Sequence, residues 1–285
     1  MDFKNTNVYN FEGAFRGMRS PLESWKQSDS FFGIVHDECD FPESDISDFW
    51  IDKENIERRE VGLTELSPEM EDYNKYYDRC DEIENWLREN GVLSEDGYYA
   101  SVAYLGPKDL DLAQRLIAAG PEHAKFLRQI FVCVDITAPL YWWKECDTYK
   151  IGTVANSTST MHKLASTPIT LDCFEMDDYD SNVKIFDTKS WRLDIYTYHV
   201  WEDMVNICET LRQRYLETKD KRYWKELIRL LPESWLQTRT VTMSYANIRN
   251  IYAQRQNHKL SEWHQFCNWA KTLPYSNELI TSSIV

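Results

Sequence analysis

The sequence predicts an α+β fold rich in helices, because one strongly apolar strand lies among several segments with helical periodicity. The strand runs through FVCVDI, where β-branched residues alternate with other side chains, as a half-buried strand requires. Its apolar face carries Ile130, Val132, Val134 and Ile136. With 285 residues, 42% of them hydrophobic, the chain can bury a large core.

Apolar residues at helical spacing predict four helices. The first spans Met70 to Leu87 and stops before Gly91, and the second carries a stripe from Leu110 to Ile117 and ends at Gly120. The third stripe runs from 200 to 215, and the fourth continues from 223 to 230 after a charged turn. Between the second and third lies a section, 168–198, that reads as short strands and an acidic loop.

The strand leads through Pro139 into an aromatic helix that includes Trp142 and Trp143 and is expected to end near Lys150. A loop dense in hydroxyl groups, TVANSTSTMHK, follows Gly152. Such a loop can wrap a nucleotide, but Ser, Thr and Asn also bond local backbone in turns. Spacing alone leaves both interpretations open.

Composition excludes several classes of function. The net charge of -15 argues against a general binder of nucleic-acid backbone, which needs clustered Lys and Arg. No run approaches the ~18 apolar residues of a membrane span. Seven cysteines without C-x-x-C spacing indicate neither a disulfide framework nor a zinc site, so no metal is expected and a cytoplasmic location fits best. No glycine-rich phosphate loop is present.

The segment from His123 to Thr160 resembles the signature region of flavin-dependent thymidylate synthases. In that family a histidine precedes a strand, Ala-Pro, an aromatic helix and the motif R-H-R-x-x-S-x-N-E-x-S-x-R. Aligned without a gap, Glu145 falls on a glutamine that faces substrate, and Lys150, Thr153 and Thr158 are conservative replacements within the motif. The three motif arginines are replaced by Thr148, Lys150 and Thr160.

A second resemblance lies near the C-terminus. The family carries an Arg-x-x-Leu-Pro-like element, then Asn-Leu-Arg at the start of a helix, then an arginine and a turn similar to Gln-Trp-Glu. This chain has the same order in Arg229 to Pro232, Asn247-Ile248-Arg249, Arg255, and Ser261-Glu262-Trp263. His258 is an alternative match to the family's substrate arginine.

The resemblance implies helices around a central mixed sheet, a homotetramer, and a single domain over residues 1–285 in which 1–65 form a divergent, phage-type extension. It implies reductive methylation of dUMP to dTMP with FAD, and NADPH and methylenetetrahydrofolate as co-substrates. No catalytic side chain is identified. The implied cofactor-binding residues are His123, Lys150, Thr153, Asn247 and Arg249, and the implied substrate-binding residues are Glu145, Thr158, Arg229 and Arg255.

Two alternatives stay open. The loss of the motif arginines favours a homologue that has lost the reaction and serves as a nucleotide-binding or interaction protein. An enzyme that modifies another pyrimidine deoxynucleotide is the other alternative. A free nucleotide needs only a local basic patch, so either is compatible with the acidic composition.

Overall fold

The computed structural model describes residues 1–35, 100–159, 164–186 and 195–282. The chain divides into two compact units, one made of Met1–Met18 and Ala113–Val285 and the other of Arg19–Leu112. The helix predicted from 70 to 87 lies outside the described residues. The single domain with an extension over 1–65 stays a prediction.

The larger unit contains a four-stranded sheet in the order β1 (Asp2–Tyr9), β4 (Phe131–Pro139), β8 (Leu236–Ser244) and β5 (Val154–Ser157). Every neighbouring pair in it is antiparallel. The prediction of a mixed sheet is therefore wrong. Its two central strands, β4 and β8, bury alternate residues, as is typical of an antiparallel sheet with one covered face, whereas parallel strands are covered on both faces.

The alternation predicted for the strand is confirmed in β4. Ile130, Val132, Val134 and Ile136 are all fully buried, and residues between them, such as Cys133 and Asp135, are only partly covered. Val241 and Met243 extend the buried face onto β8. This face of the sheet therefore lies in the core of the larger unit.

The aromatic helix α3 (Leu140–Cys146) begins directly after Pro139. It ends four residues earlier than predicted, since the amides of Thr148 and Tyr149 bond the carbonyls of Glu145 and Cys146 in tight turns. Trp142 and Trp143 are buried within the chain, and Trp142 packs against Trp263 and Phe266. Part of the loop predicted to follow is the edge strand β5.

The segments predicted to be helices after residue 100 are confirmed. They are α2 (Pro107–Ala118), α4 (Thr197–Thr218) and α5 (Lys221–Leu230). Lys219 takes a left-handed conformation with φ 55, and Asp220 caps α5, which separates the last two helices. Both pack in a cluster that includes Leu164, Phe174, Cys208 and Leu227. None of the described helices is long and apolar enough to cross a membrane.

The remaining elements of the larger unit are the hairpin of β6 (Lys184–Phe186) and β7 (Ile195–Tyr196), and three helices at the C-terminal end. These helices are α6 (Tyr245–Arg255), α7 (Ser261–Lys271) and α8 (Ser276–Leu279). Helix α1 (Phe11–Arg19) follows β1. The predicted strands and acidic loop between 168 and 198 therefore include one hairpin and a 3-10 turn over Leu171–Cys173.

The smaller unit contains the antiparallel pair β2 (Phe31–Val35) and β3 (Ala100–Tyr104). A buried ion pair joins Arg19 to Asp109, with Nε to Oδ1 2.5 Å. The hydroxyls of Ser28 and Ser30 donate to the other oxygen of the Asp109 carboxylate. This closed network accounts for the burial of both charges.

Candidate functional site

Two of the residues predicted to bind substrate, Glu145 and Arg255, lie in contact. Helix α3 supplies Glu145 near its end, and Arg255 is the last residue of α6, 110 positions later in the chain. Arg255 Nη1 donates to Glu145 Oε1 over 3.2 Å, and the Nε1 of Trp263, in the first turn of α7, donates to Glu145 Oε2 over 2.6 Å. The ends of three helices therefore meet at one carboxylate.

Aromatic rings flank the Arg255 guanidinium. Its central carbon lies 4.8 Å from the ring centre of Trp263 and 5.5 Å from that of Tyr149. Arg255 Nε also donates to the Tyr149 hydroxyl over 2.8 Å. Cation–π attraction and the hydrogen bond together hold the planar group in a fixed orientation.

His258 completes this cluster. Its Nε2 lies 3.5 Å from Glu145 Oε1, and its Nδ1 accepts the backbone amide of Leu260 over 3.2 Å. Because Nδ1 accepts this bond, the neutral ring carries its hydrogen on Nε2, facing the carboxylate.

The Arg255–Glu145 pair is open to solvent and incompletely bonded. The Arg255 side chain is 17% exposed and that of Glu145 is 36% exposed. Within the described residues, Arg255 Nη2 has no hydrogen-bond partner. A guanidinium with a donor to spare, held flat beside aromatic rings, can bind a phosphate or another anion. The adjacent carboxylate opposes that binding.

Asn247 was predicted to contact the flavin, but its amide serves the chain itself. Oδ1 accepts from the Ser244 hydroxyl over 2.5 Å in a capping box that starts α6. Nδ2 donates to the Ile151 carbonyl over 2.5 Å. Gly152, with φ +74, approaches so closely that an added Cβ would lie 3.2 Å from Asn247 Oδ1. Asn247 thus fixes the turn that precedes β5.

Arg249, the second residue of the predicted flavin pair, is also used internally. Its Nη1 donates to the Ile280 carbonyl over 2.9 Å and lies at the limit of bonding, 3.5 Å, from the Leu279 carbonyl. It also donates to the Ser282 hydroxyl over 3.2 Å. Burial lowers the pKa of the Arg249 guanidinium. Arg249 therefore fastens the C-terminal segment to α6.

The predicted residues of the hydroxyl-rich segment differ in their roles. Thr158 donates from both its amide and its hydroxyl to the Thr238 carbonyl, which extends the pairing of β5 with β8. Lys150 is exposed in the turn after α3. The hydroxyl of Thr153 is buried without a partner in the described part of the chain, so it is the one of the three with unused bonding capacity inside the structure.

His123 and Arg229 lie at the surface. His123 is exposed where the 3-10 turn Ala124–Arg128 begins. Arg229 pairs with Glu226 one turn earlier in α5, with Nη1 to Oε2 2.7 Å, and its side chain is 58% exposed. This geometry is typical of an ordinary surface ion pair.

Cys146 lies on the same helix as Glu145 but is not a reactive thiolate. The side chain is buried, and burial raises the pKa of the thiol to about 12. Chemistry at this site would therefore proceed without a cysteine nucleophile.

The residues fit a flavin incompletely within one chain. The predicted Asn–Arg pair is occupied by intrachain hydrogen bonds, whereas Lys150 and the unpartnered hydroxyl of Thr153 remain for a cofactor. If FAD binds, these two would hold it, and the flavin would supply the hydride chemistry that no side chain here can supply. Any further contacts would have to come from elsewhere.

Sequence reasoning missed two partners at the site, because it did not assign Tyr149 or Trp263 to the cluster. It also did not single out Arg239, whose guanidinium carbon lies 4.2 Å above the Trp143 ring of α3 and which bonds Asp147 over 2.8 Å. The one available signal was the position of Trp263 shortly after Arg255. A tryptophan in the first turn of the following helix can reach back to the end of the preceding one.

Neither a protein-family model nor a curated protein sequence matches this chain. Solved structures do resemble it. One is the flavin-dependent thymidylate synthase ThyX from Helicobacter pylori in complex with FAD and dUMP, at 17% identity over 61% of this chain and 82% of that chain, with a TM-score of 0.43. Another is the UMP/dUMP methylase PolB from Streptomyces cacaoi bound with 5-Br UMP, at 13% identity over 62% and 83%, with a TM-score of 0.44.

Some of these solved structures are members of the family that the sequence motifs resemble. The similarity is distant, and at these TM-scores and identities it assigns neither a family nor an activity to the chain.

Proposed function

We propose that the chain is a flavin-dependent thymidylate synthase-like protein that binds a pyrimidine deoxynucleotide at the Arg255–Glu145 cluster. The observation that carries the proposal is the contact between these two residues. Both were matched to substrate-side positions from separate sequence motifs, and they lie 3.2 Å apart although 110 positions separate them in the chain. The motif order and the folded geometry therefore point to the same site.

The physical case rests on charge and stacking. A nucleoside monophosphate carries about two negative charges, and a chain of net charge -15 must offer it a local cation. Arg255 supplies that cation, oriented by Tyr149 and Trp263. A guanidinium donates charge-assisted hydrogen bonds to phosphate. In the described structure Nη2 is available as a donor, whereas Nη1 and Nε bond Glu145 and Tyr149.

The proposed reaction is reductive methylation of dUMP to dTMP, with FAD as cofactor and NADPH and methylenetetrahydrofolate as co-substrates. This part rests on the motif resemblance. Such chemistry depends on positioning and electrostatics more than on an enzyme nucleophile, which agrees with the buried, protonated Cys146. In a homotetramer of the kind the resemblance implies, residues of other copies would complete the flavin site that one chain builds only in part.

One observation favours the alternative of a homologue without catalytic activity. The amide of Asn247 and the guanidinium of Arg249 are both committed to holding the chain together. A protein that has lost the flavin reaction could keep these bonds for stability and still bind a nucleotide through Arg255. This alternative differs from the main proposal in its cofactor, not in its nucleotide site.

Absorption spectroscopy and calorimetry separate the possibilities. A flavoprotein is yellow, or its melting temperature rises when FAD is added. At a hundred times the dissociation constant, FAD should add ~2.7 kcal/mol to the free energy of unfolding. Calorimetry with dUMP, dTMP and dCMP then tests the nucleotide, and Arg255→Ala should lose roughly 1.5–3 kcal/mol of dUMP binding. The same substitution should leave FAD affinity nearly unchanged.

Each result has one meaning. A colourless protein that binds dUMP but not FAD supports the non-catalytic alternative, and selective binding of dCMP supports an enzyme for another pyrimidine. If no nucleotide gives heat up to the millimolar range, the nucleotide site proposed here is wrong. Arg229→Ala provides the matched control, because it removes an arginine that is paired at the surface.

A further inference from the structure

Arg239 on β8 is a second arginine that lies over a tryptophan and has a nitrogen to spare. Its guanidinium carbon is 4.2 Å from the centre of the Trp143 ring. Nε donates to Gln237 Oε1 over 3.0 Å, and Nη1 donates to Asp147 Oδ1 over 2.8 Å. Among the described residues Nη2 has no hydrogen-bond partner. The arrangement is the same as at Arg255, with different partners.

The Arg239 side chain projects from the covered face of the sheet. In the register of the strands, Arg239 stands opposite Ile136 of β4 on one side and Ser157 of β5 on the other. Ile136 is fully buried, so Arg239 shares the face that α3 covers through Trp143. Only 16% of the Arg239 side chain is exposed, against 58% for Arg229. Arg239 therefore differs from an arginine in an ordinary surface ion pair.

An unused hydroxyl stands beside Arg239 on the edge strand β5. The Thr158 amide donates to the Thr238 carbonyl, which makes Ser157 and Arg239 a non-hydrogen-bonded pair of the antiparallel ladder. Side chains approach most closely in such pairs, with Cβ atoms about 4.5–5.5 Å apart. Ser157 is exposed, and its hydroxyl has no partner among the described residues. On its outer side β5 has no neighbouring strand in the described sheet, so the hydroxyl is accessible to a ligand.

We propose that Arg239 and Ser157 form a second phosphate-binding position, separate from the nucleotide position at Arg255. A phosphate group there accepts a charge-assisted hydrogen bond from Nη2 and another from the Ser157 hydroxyl. The two donors lie on different strands, which suits the tetrahedral oxygens of a phosphate better than the two coplanar oxygens of a carboxylate. Asp147, the present partner of Arg239, is 48% exposed and can turn into water when an anion binds.

Two cations near one helix end explain how an acidic chain can hold a second anion. Burial and Asp147 raise the pKa of the Cys146 thiol, whereas the charges of Arg239 and Arg255 both lower it. Both guanidiniums therefore lie close to Cys146, and two phosphorylated ligands could bind near it together. Because the net charge of -15 opposes any anion, we expect a millimolar dissociation constant for inorganic phosphate.

The indole N–H signals in nuclear magnetic resonance spectra separate the two positions, because each arginine lies on a different tryptophan. Trp143 reports on Arg239, and Trp263 reports on Arg255. Trp143→Phe and Trp263→Phe assign the two signals in protein with isotope-labelled tryptophan. Inorganic phosphate, exchanged for chloride at constant ionic strength, should move the Trp143 signal saturably.

Three variants test which groups hold the phosphate. Asp147→Asn removes the charge that competes for Arg239 and should tighten phosphate binding, read at Trp143, about fivefold. Arg239→Lys keeps the charge but loses the oriented donors, and should weaken binding about fivefold. Ser157→Ala should weaken it about threefold. The matched control is Asp178→Asn, the same change at an exposed carboxylate elsewhere, which should leave the titration unchanged.

Two results would overturn the proposal. One is a Trp143 signal that stays still up to about 50 mM phosphate, or that moves as much with chloride. The other is equal phosphate affinity in wild type, Asp147→Asn and Arg239→Lys. Asp147→Asn keeps the test decisive if Arg239→Lys does not fold. The inference does not depend on the proposed function, because a Trp263 signal that ignores dUMP while Trp143 responds to phosphate would contradict only the latter.

Discussion

Two Arg–Glu pairs in the larger unit differ in how completely they are bonded. Arg212 binds Glu209 through two hydrogen bonds of 2.7 and 2.6 Å, and its third nitrogen donates to the Ala165 carbonyl. Glu209 also accepts from the Ile169 amide. Arg255 makes one contact of 3.2 Å with Glu145 and leaves Nη2 without a partner among the described residues.

The Arg212–Glu209 pair, here called the closed pair, has a structural role. The Arg255–Glu145 pair, here called the open pair, can take a ligand. The bonds from Arg212 lower the pKa of Glu209 to about 2, which reflects a carboxylate stabilised by the fold. The open pair instead keeps a cation oriented by rings at a surface that solvent reaches. An arginine whose nitrogens are all hydrogen-bonded within the chain has a structural role, whereas one with an unbonded nitrogen is a candidate binding residue. The presence of an arginine alone does not distinguish the two.

The largest expected effect comes from breaking the closed pair. Arg212→Ala leaves Glu209 partly buried without its counter-charge and removes the bond to the Ala165 carbonyl, so the free energy of unfolding should fall by about 3 kcal/mol. Urea denaturation measures this. Arg229→Ala also breaks an i,i+3 pair with glutamate, but at the surface, and should cost less than ~0.5 kcal/mol. Equal losses in both variants would contradict the distinction.

Arg249→Ala should have the next largest effect. Ile280 is buried, and the substitution leaves its carbonyl without the hydrogen bond that Arg249 donates. The free energy of unfolding should fall by about 2 kcal/mol, as expected for hydrogen bonds to a charged group. Limited proteolysis should then cleave the C-terminal segment faster than in wild type. A variant that loses FAD binding with unchanged stability would instead make Arg249 a flavin ligand.

Acid should weaken the closed pair in a defined pH window. Because the pKa of Glu209 is lower in the folded state, its contribution is present above pH 4.5 and is lost as the pH falls towards 2. Between pH 5.5 and 3.5, wild type should lose about 1.5 kcal/mol more stability than Glu209→Gln. Parallel urea titrations at both pH values measure the difference. Identical losses would mean that Glu209 has no lowered pKa.

The periodic spacing of apolar residues in the sequence predicted much of the fold but less of the candidate site. The alternation in β4 and the helix α4 could be predicted because burial imposes a regular spacing on apolar residues, although Val200 and Ile207 of the predicted apolar stripe are exposed. The sheet was mispredicted because strand direction depends on long-range pairing. The internal roles of Asn247 and Arg249 could not be assigned from sequence, because each donates to a backbone carbonyl, a group that every residue carries.

The homotetramer stays a prediction that rests on the family resemblance. The aromatic helix does not need another copy to cover its tryptophans, because Trp142 and Trp143 are both buried within the chain and Trp142 contacts Trp263 and Phe266. Apolar surface remains exposed elsewhere, on α4. Hydrophobic content of a segment thus predicts burial but not whether the same chain or another copy provides it.

The central claim is that the open Arg255–Glu145 pair binds the phosphate of a pyrimidine deoxynucleotide, and calorimetry of Glu145→Gln with dUMP tests it most directly. Gln keeps an acceptor for Trp263 but removes the negative charge that competes for Arg255. Removing one charge about 6 Å from the phosphate should tighten dUMP binding by about 1 kcal/mol, roughly five- to tenfold. Glu226→Gln, the same change in the surface pair, should leave affinity unchanged. Weaker or unaltered dUMP binding by Glu145→Gln would contradict the account.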